Sequence, residues 1–201
     1  MVHITLADFL DFVSKSGSSK LSKVKRLKHR PPYRPRFDYY RPLRETIAAV
    51  HRAHGDRAAF DAALMAALPE EFPIRSELLA VGAAYRAWWG RKQLGWFEPP
   101  RVIWTQGEIA ITINPDLGLI VDGRPHLMKL WFRDVALEKR GLDVVFQLME
   151  DATPGLVPPG TEVGVLDVRR SHLFSPTVEV SGASAWLNGE VAYLSAAWAD
   201  V

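Results

Sequence analysis

Residues 108–132 read EIAITINPDLGLIVDGRPHLMKLWF, and this stretch decides the predicted fold. Its first six residues alternate in polarity and are rich in β-branched side chains, which is typical of a strand. The segment Asn114-Pro115-Asp116-Leu117-Gly118 has turn chemistry, and Asp122-Gly123 favours a tight hairpin turn. The sequence therefore predicts a three-stranded antiparallel meander. Its strands are expected at residues 108–113, 119–121 and 126–132.

Helical spacing dominates the chain before residue 97. Thr5 and Asp8 form a capping box in front of a short apolar run, and Asp56 is a typical N-cap for a later helix. The clearest helix follows Ser76, because apolar side chains recur there on one face at intervals of three to four residues. That face consists of Leu78, Val81, Tyr85 and Trp88.

A second helix and a further strand follow the meander. Residues 163–168 form a largely apolar run that suits the interior of a sheet. The C-terminal residues favour a helix by their spacing, although Asn188-Gly189 is also a hairpin signal. The predicted class is α+β, with N-terminal helices, an α-β-β-β-α-β core and a C-terminal helix. We expect a helical N-terminal part at residues 1–97 and an α/β core at 76–201, packed as a single compact unit.

The composition limits the classes of protein and of site. The chain has 201 residues, 48% of them hydrophobic, and no cysteine. The lack of cysteine excludes disulfides, thiolate catalysis and cysteine-ligated zinc or iron–sulfur sites. No stretch approaches the roughly 18 apolar residues that a membrane helix needs, and no phosphate-binding Gly-rich loop occurs. The sequence therefore predicts a cytoplasmic protein with no membrane partner and no nucleotide-dependent chemistry.

Charge is distributed unevenly along the chain. Residues 15–44, here called the basic arm, carry eleven Lys and Arg against the single acid Asp38, for a net charge of +10. The rest of the chain sums to −8. A basic run of this density is typical of nucleic-acid binding, so the sequence predicts DNA or RNA as partner. The acidic body would repel nucleic acid and leave the contact to the arm.

Proline and aromatic residues in the basic arm favour the same partner. The prolines at positions 31, 32, 35 and 42 prevent a continuous helix, and an extended chain can follow a row of phosphates. Aromatic rings between the charges suit stacking on bases, or alternatively packing of the arm on its own core. The predicted nucleic-acid-binding residues are Lys20, Lys23, Lys25, Arg26, Lys28, Arg30, Tyr33, Arg34 and Arg36.

The predicted order from residue 76 to 168, together with Pro115-Asp116 and Leu127-Met128-Lys129, resembles the restriction-endonuclease-like PD-(D/E)XK nuclease superfamily. Members of that superfamily hold a divalent cation with an Asp and a second acid, and a nearby Lys stabilises charge or helps to activate water. The resemblance implies these roles for Asp116 and Lys129. Leu127 occupies the position of the second acid, however, and leucine cannot bind a metal. The resemblance therefore implies a catalytically degenerate core, unless acids come from elsewhere.

Other acids near the meander are candidates for that missing ligand. Glu108 lies on the first strand of the predicted meander, Asp122 in its hairpin turn and Asp167 on the last predicted strand. The predicted catalytic set is accordingly Asp116, Lys129, Glu108 and Asp122, with Asp116 and Asp122 as ligands of Mg²⁺ if the protein is active. Otherwise no cofactor is expected. Turn chemistry alone also accounts for Asp116 and Asp122, and Lys129 would then simply point to solvent.

Three functions follow from the sequence. The preferred one is a nucleic-acid-binding protein with a catalytically degenerate, nuclease-like core. The second is a metal-dependent phosphodiesterase or nuclease. The third is a protein-interaction module whose arm packs on its own acidic body or on that of a second copy in a homo-oligomer; the seven tryptophans would supply its contact surface.

Overall fold

The computed structural model describes residues 1–31, 38–137, 139–176 and 182–201. Helices pack on two sheets in these residues, which confirms the predicted α+β class. The helices are α1 Leu6–Val13, α2 Gly17–Lys28, α3 Arg41–Arg52, α4 Arg57–Ala67, α5 Arg75–Trp89, α6 Lys139–Ala152 and α7 Ala183–Asp200. The strands are β1 Val2–Thr5, β2 Leu94–Phe97, β3 Val102–Gln106, β4 Ile109–Ile113, β5 Leu117–Val121, β6 Arg124–Trp131, β7 Glu162–Asp167 and β8 His172–Phe174. None of the described helices is long and apolar enough to cross a membrane.

The larger sheet has five strands in the order β2-β5-β6-β7-β8. The β2–β5 and β5–β6 pairs are antiparallel, whereas α6 crosses over and places β7 parallel to β6. The predicted Asp122-Gly123 turn joins β5 to β6, with φ angles of 50° and 88°. Positive φ at both central residues is what a type I′ hairpin turn requires. From α5 onward the chain thus supplies a helix, three antiparallel strands (β2, β5, β6), a helix and a parallel strand, with β3 and β4 inserted after β2.

The predicted meander over residues 108–132 is wrong in its first strand. β4 belongs to a separate three-stranded sheet with the order β1-β4-β3. All five residues of β4 are buried, so both of its edges need partners for their backbone groups. β1 supplies one edge in parallel, with Val2 opposite Ile109, and β3 supplies the other. Local turn signals at 114–118 cannot reveal this pairing, because β1 lies at the far end of the chain.

β6 separates two hydrophobic cores. Leu127 and Trp131 face a core formed with α1, α2, α6 and α7, whereas Met128 and Leu130 face one formed with α3, α4 and α5. This alternation follows from the two-residue repeat of a strand. Because β6 is buried on both faces, a charged side chain on it needs a partner inside the protein.

Candidate functional site

Asp116 and Lys129 lie opposite each other on neighbouring strands. The β5–β6 register pairs Leu117 with Met128, so the next position outward sets Asp116 against Lys129. Lys129 Nζ lies 3.1 Å from Asp116 Oδ1 and donates to the carbonyl of Asn114 at 2.9 Å. The two side chains are only 7% and 6% exposed, so Lys129 does not point to solvent. The structure brings together two of the four predicted catalytic residues, in a buried ion pair.

Both carboxylate oxygens of Asp116 accept hydrogen bonds from other residues of the protein. Oδ2 accepts a hydrogen bond from the backbone N–H of Leu130 at 2.8 Å, while Oδ1 accepts from Lys129. Arg44, in the first turns of α3, places its Nε 3.7 Å from Oδ1 and also pairs with Asp38 at 2.6 Å. Two cations therefore neutralise Asp116, and its charge is already satisfied within the protein.

Glu108 and Asp122 lie far from this ion pair. Asp122 closes the hairpin at the opposite end of β5 from Asp116, about 20 Å away by the rise of a strand. Its carboxylate accepts a hydrogen bond from the N–H of Gln93 at 2.8 Å. Glu108 is 78% exposed at the start of β4 and pairs with the amino terminus of Met1 at 3.3 Å. Asp116 and Asp122 therefore cannot share a metal ion, and Glu108 cannot join them.

The residues around Asp116 do not fit a magnesium site. Mg²⁺ prefers about six oxygen ligands in octahedral geometry. Leu127 is fully buried, and Asp167 is buried and paired with Arg170 at 3.1 Å. Asn114 Oδ1 is buried without a hydrogen-bond donor from the described residues, but one neutral oxygen beside a neutralised carboxylate falls short of that ligand set. No group of three or more acids or histidines among the described residues could hold a metal.

A second polar cluster, which the sequence did not predict, joins the start of α3 to α5 and to the turn after β7. Glu77 accepts a hydrogen bond from the Tyr40 hydroxyl at 2.8 Å, and Arg169 donates to both. The hydrogen bonds from Tyr40 and Arg169 lower the pKa of Glu77. The Tyr40 ring stacks on Phe132 with the centroids 5.3 Å apart. Tyr40 thus packs the end of the basic arm on the core, with its ring stacked on Phe132 and the Arg169 guanidinium 5.9 Å from the ring centroid.

The first half of the basic arm is a helix docked on α1, and the expected extended chain is wrong there. The prolines that exclude a helix all follow α2. Lys23 is buried with its Nζ 2.8 Å from Asp11 and 3.4 Å from Asp8, and Arg30 lies 2.9 Å from Asp8. Burial disfavours the charged form of both carboxyls. The positive charge of Lys23 favours that form at both, and Arg30 adds to this effect at Asp8, so the pKa of each carboxyl is lowered.

The predicted nucleic-acid-binding residues therefore divide into anchored and exposed side chains. Lys23 and Arg30 pair with acids of α1, and Lys20 pairs with Glu190 on α7. These three cations hold α2 on the acidic body of the protein. In this structure Lys20 and Lys23 are committed to internal contacts, while Arg30 remains about half exposed at 48%.

The remaining cations of α2 face solvent. Lys25 and Arg26 are exposed and have no ion-pair partner within the described parts of the chain. Lys28 is exposed as well, and its Nζ donates to the carbonyl of Trp198 at 2.8 Å. The other predicted nucleic-acid-binding residues lie outside the described residues: Tyr33, Arg34 and Arg36.

A cleft of about 660 Å³ opens between α3 and α4. Asp38, Arg41 and Glu45 line one side, and Ala63 and Phe72 contribute to the other. Neither Asp116 nor Lys129 lines this cleft, so the cleft and the nuclease-like ion pair are separate features.

No protein-family model, curated protein or solved structure matches this chain.

Proposed function

We propose that the protein binds nucleic acid through the exposed cations of α2, on a nuclease-like core that is catalytically degenerate. The observation that carries the proposal is that the cations of α2 fall into two groups, one that anchors the helix and one that faces solvent. Lys20 and Lys23 hold the helix on the body, whereas Lys25, Arg26 and Lys28 extend from its exposed sides. An anchored helix presents its cations at fixed positions, which lowers the entropic cost of contacting a phosphate backbone.

The charges around α2 support this proposal. Asp8 and Asp11 are neutralised by cations of the arm, and Glu190 is neutralised by Lys20. The acids nearest to α2 therefore do not cancel the positive potential of its exposed cations. Contacts to phosphates carry no sequence information directly, so we expect low sequence selectivity.

The core favours a binding role over hydrolysis. Its order of α5, β2, β5, β6, α6 and β7 agrees with the PD-(D/E)XK resemblance, as does the proximity of Asp116 and Lys129. Arg44 and Lys129 neutralise Asp116, however, and Leu127 provides no ligand. We therefore assign the core the role of a scaffold for the basic surface.

Fluorescence anisotropy with labelled DNA and RNA tests the proposal. If the three exposed cations of α2 contact phosphates, the logarithm of the affinity should fall with the logarithm of salt concentration at a slope of about −2 for a single strand or about −3 for a duplex. Any contact from Arg34 or Arg36 would make the slope steeper. Binding that stays unchanged from low to high salt, or no binding at all, would overturn the proposal.

A further inference from the structure

α2 and α7 lie side by side and run parallel. Lys20 pairs with Glu190, and Lys28 Nζ donates to the Trp198 carbonyl at 2.8 Å. The two contacts are eight residues apart on each helix, so the helices lie in contact, in parallel, over about two turns. Their solvent-facing sides adjoin and form what we call the α2–α7 surface, within Gly17–Lys28 and Ala183–Asp200.

Two large aromatic rings are exposed on the α7 side of this surface. Trp186 is 50% exposed and Tyr193 is 41% exposed. A separation of seven residues places them on the same side of the helix, about 10 Å apart along its axis. Gly189 lies between them on that side, and beyond its chain neighbours and the backbone of its own helix no atom stands within 4 Å of the position that a Cβ would take. The space between the two rings is therefore open to a ligand.

Ammonium groups lie on the α2 side of the same surface. Leu21, Lys25 and Lys28 follow one another at intervals of four and three residues, so they share the side from which Lys28 reaches α7. Tyr193 in turn reaches toward α2, because its ring centroid lies 5.5 Å from Lys20 Nζ. The ring also lies 6.0 Å from that of Phe12, and the exposed 41% of the residue is what a base could contact. By the register of the two helices, Tyr193 is level with Lys23, next to the Lys25 side of α2. Trp186 is level with Ser16, just before α2 and about 13 Å along the axis from the level of Lys25.

We propose that the α2–α7 surface binds single-stranded nucleic acid, with Trp186 and Tyr193 stacking on bases and Lys25 and Lys28 contacting phosphates. The inference rests on the proposed function, because it uses the same cations, and it narrows the ligand to unpaired bases. A duplex presents only base edges in its grooves, whereas every unpaired base has a free face that can stack on an aromatic ring. The distance between the two rings equals roughly three stacked nucleotides at about 3.4 Å each.

The test compares affinities for a single strand and for the matched duplex, with DNA and RNA as separate arms. In the double variant Trp186→Ala/Tyr193→Ala we expect the single-strand affinity to fall about tenfold or more, because two stacking contacts are lost. The duplex affinity should stay within about twofold of wild type, since phosphate contacts remain. Trp186→Phe/Tyr193→Phe keeps the ring faces and should retain most single-strand binding. Ile103→Ala/Leu156→Ala removes exposed apolar side chains elsewhere and should change neither affinity.

The outcomes distinguish failure of this inference from failure of the proposed function on which it rests. Unchanged single-strand affinity in the alanine variant, or an equal loss for single strand and duplex, overturns the inference. The proposed function survives that result if loss of the α2 cations still weakens binding. Failure of the wild type to bind either form overturns both. Circular dichroism and thermal unfolding check the fold. If the alanine variant does not fold, Trp186→Leu/Tyr193→Leu, which keeps bulk but has no ring face, takes its place.

Discussion

Lys23 Nζ lies 2.8 Å from Asp11 Oδ2, and the two side chains are 8% and 2% exposed. The ion pair joins the middle of α2 to α1 at a place where both side chains are largely shielded from solvent. Lys23 belongs to the most basic segment of the chain, yet its side chain is the least exposed among the cations of that segment that the structure describes. This contact fixes the orientation of α2, and the orientation decides which of its cations remain exposed.

Replacing Lys23 by Met should destabilise the protein, because the buried carboxylates of α1 lose a shared partner. Removing one member of a buried ion pair costs about 3–5 kcal/mol. Arg30 and Arg133 still contact these carboxylates, so we expect a loss of about 2–3 kcal/mol in the free energy of unfolding. Urea unfolding followed by circular dichroism measures the loss. Lys25→Met, two residues along the same helix, should change it by less than about 0.5 kcal/mol. Equal effects of the two changes would contradict an anchoring role for Lys23.

His51 should make stability depend on pH. Burial lowers the pKa of His51 to about 4, and its Nε2 lies 2.6 Å from the hydroxyl of Tyr85. An unfolded His titrates near pH 6.5, so between about pH 6.5 and 4 the unfolded state binds a proton that the folded state does not. Above about pH 6.5 the neutral His51 costs the folded state nothing relative to the unfolded state. As the pH falls from about 6.5 to about 4, the free energy of unfolding decreases by at most about 3 kcal/mol.

Urea unfolding in a series from about pH 7.5 to about pH 4.5 measures this dependence. His51→Gln lacks the titrating ring and should lose much less stability over the series than wild type. His54→Gln, an exposed position in the turn that follows the same helix, should behave like wild type. Parallel curves for wild type and His51→Gln would refute the assignment.

Asp116 and Lys129 should be coupled in stability. Each single change, Asp116→Ala or Lys129→Met, leaves one buried charge with fewer partners, whereas the double change removes both charges. The double variant should therefore be less destabilised than the sum of the single variants, with a coupling of about 1–3 kcal/mol. A double-mutant cycle by urea unfolding measures this coupling. Additive effects would show that the pair does not act as a unit.

Divalent metal should have no specific effect on the protein. Because Lys129 and Arg44 neutralise Asp116, we expect no rise in the midpoint of thermal unfolding on addition of Mg²⁺ and no cleavage of DNA or RNA with Mg²⁺ or Mn²⁺. Cleavage that disappears in Asp116→Ala but persists in Asp122→Ala would instead support the phosphodiesterase interpretation.

Local signals in the sequence predicted several elements correctly. Thr5 and Asp8 form the expected capping box of α1, and the side chain of Asp56 caps α4. The Asp122-Gly123 turn occurs where its dipeptide indicates. The C-terminal segment is a helix despite Asn188-Gly189, because apolar side chains repeat there at helical spacing. They are Leu187, Val191, Leu194 and Trp198, and the first three are buried. These features depend on residues that are neighbours in the chain.

Features that depend on distant residues were not predictable from local patterns. α2 has few buried apolar side chains, and its ion pairs with α1 and α7 cannot be read from its own sequence. β4 pairs with β1, which lies at the other end of the chain. His51 is buried because the rings of Tyr85 and Trp89, on a different helix, pack around it. The Asp116–Lys129 pair was predictable, since it depends on the register of a single hairpin.

The most direct measurement of the proposed function compares two triple variants in their affinity for the same labelled single strand at several salt concentrations. Both variants remove three exposed cations and change the net charge equally. They are Lys25→Ala/Arg26→Ala/Lys28→Ala on α2 and Arg91→Ala/Arg101→Ala/Arg124→Ala elsewhere in the chain. We predict that the α2 variant loses about tenfold or more in affinity and about 2 units of salt slope, while the other stays within about twofold of wild type. Equal losses in both variants, or no loss in the α2 variant, would contradict the account.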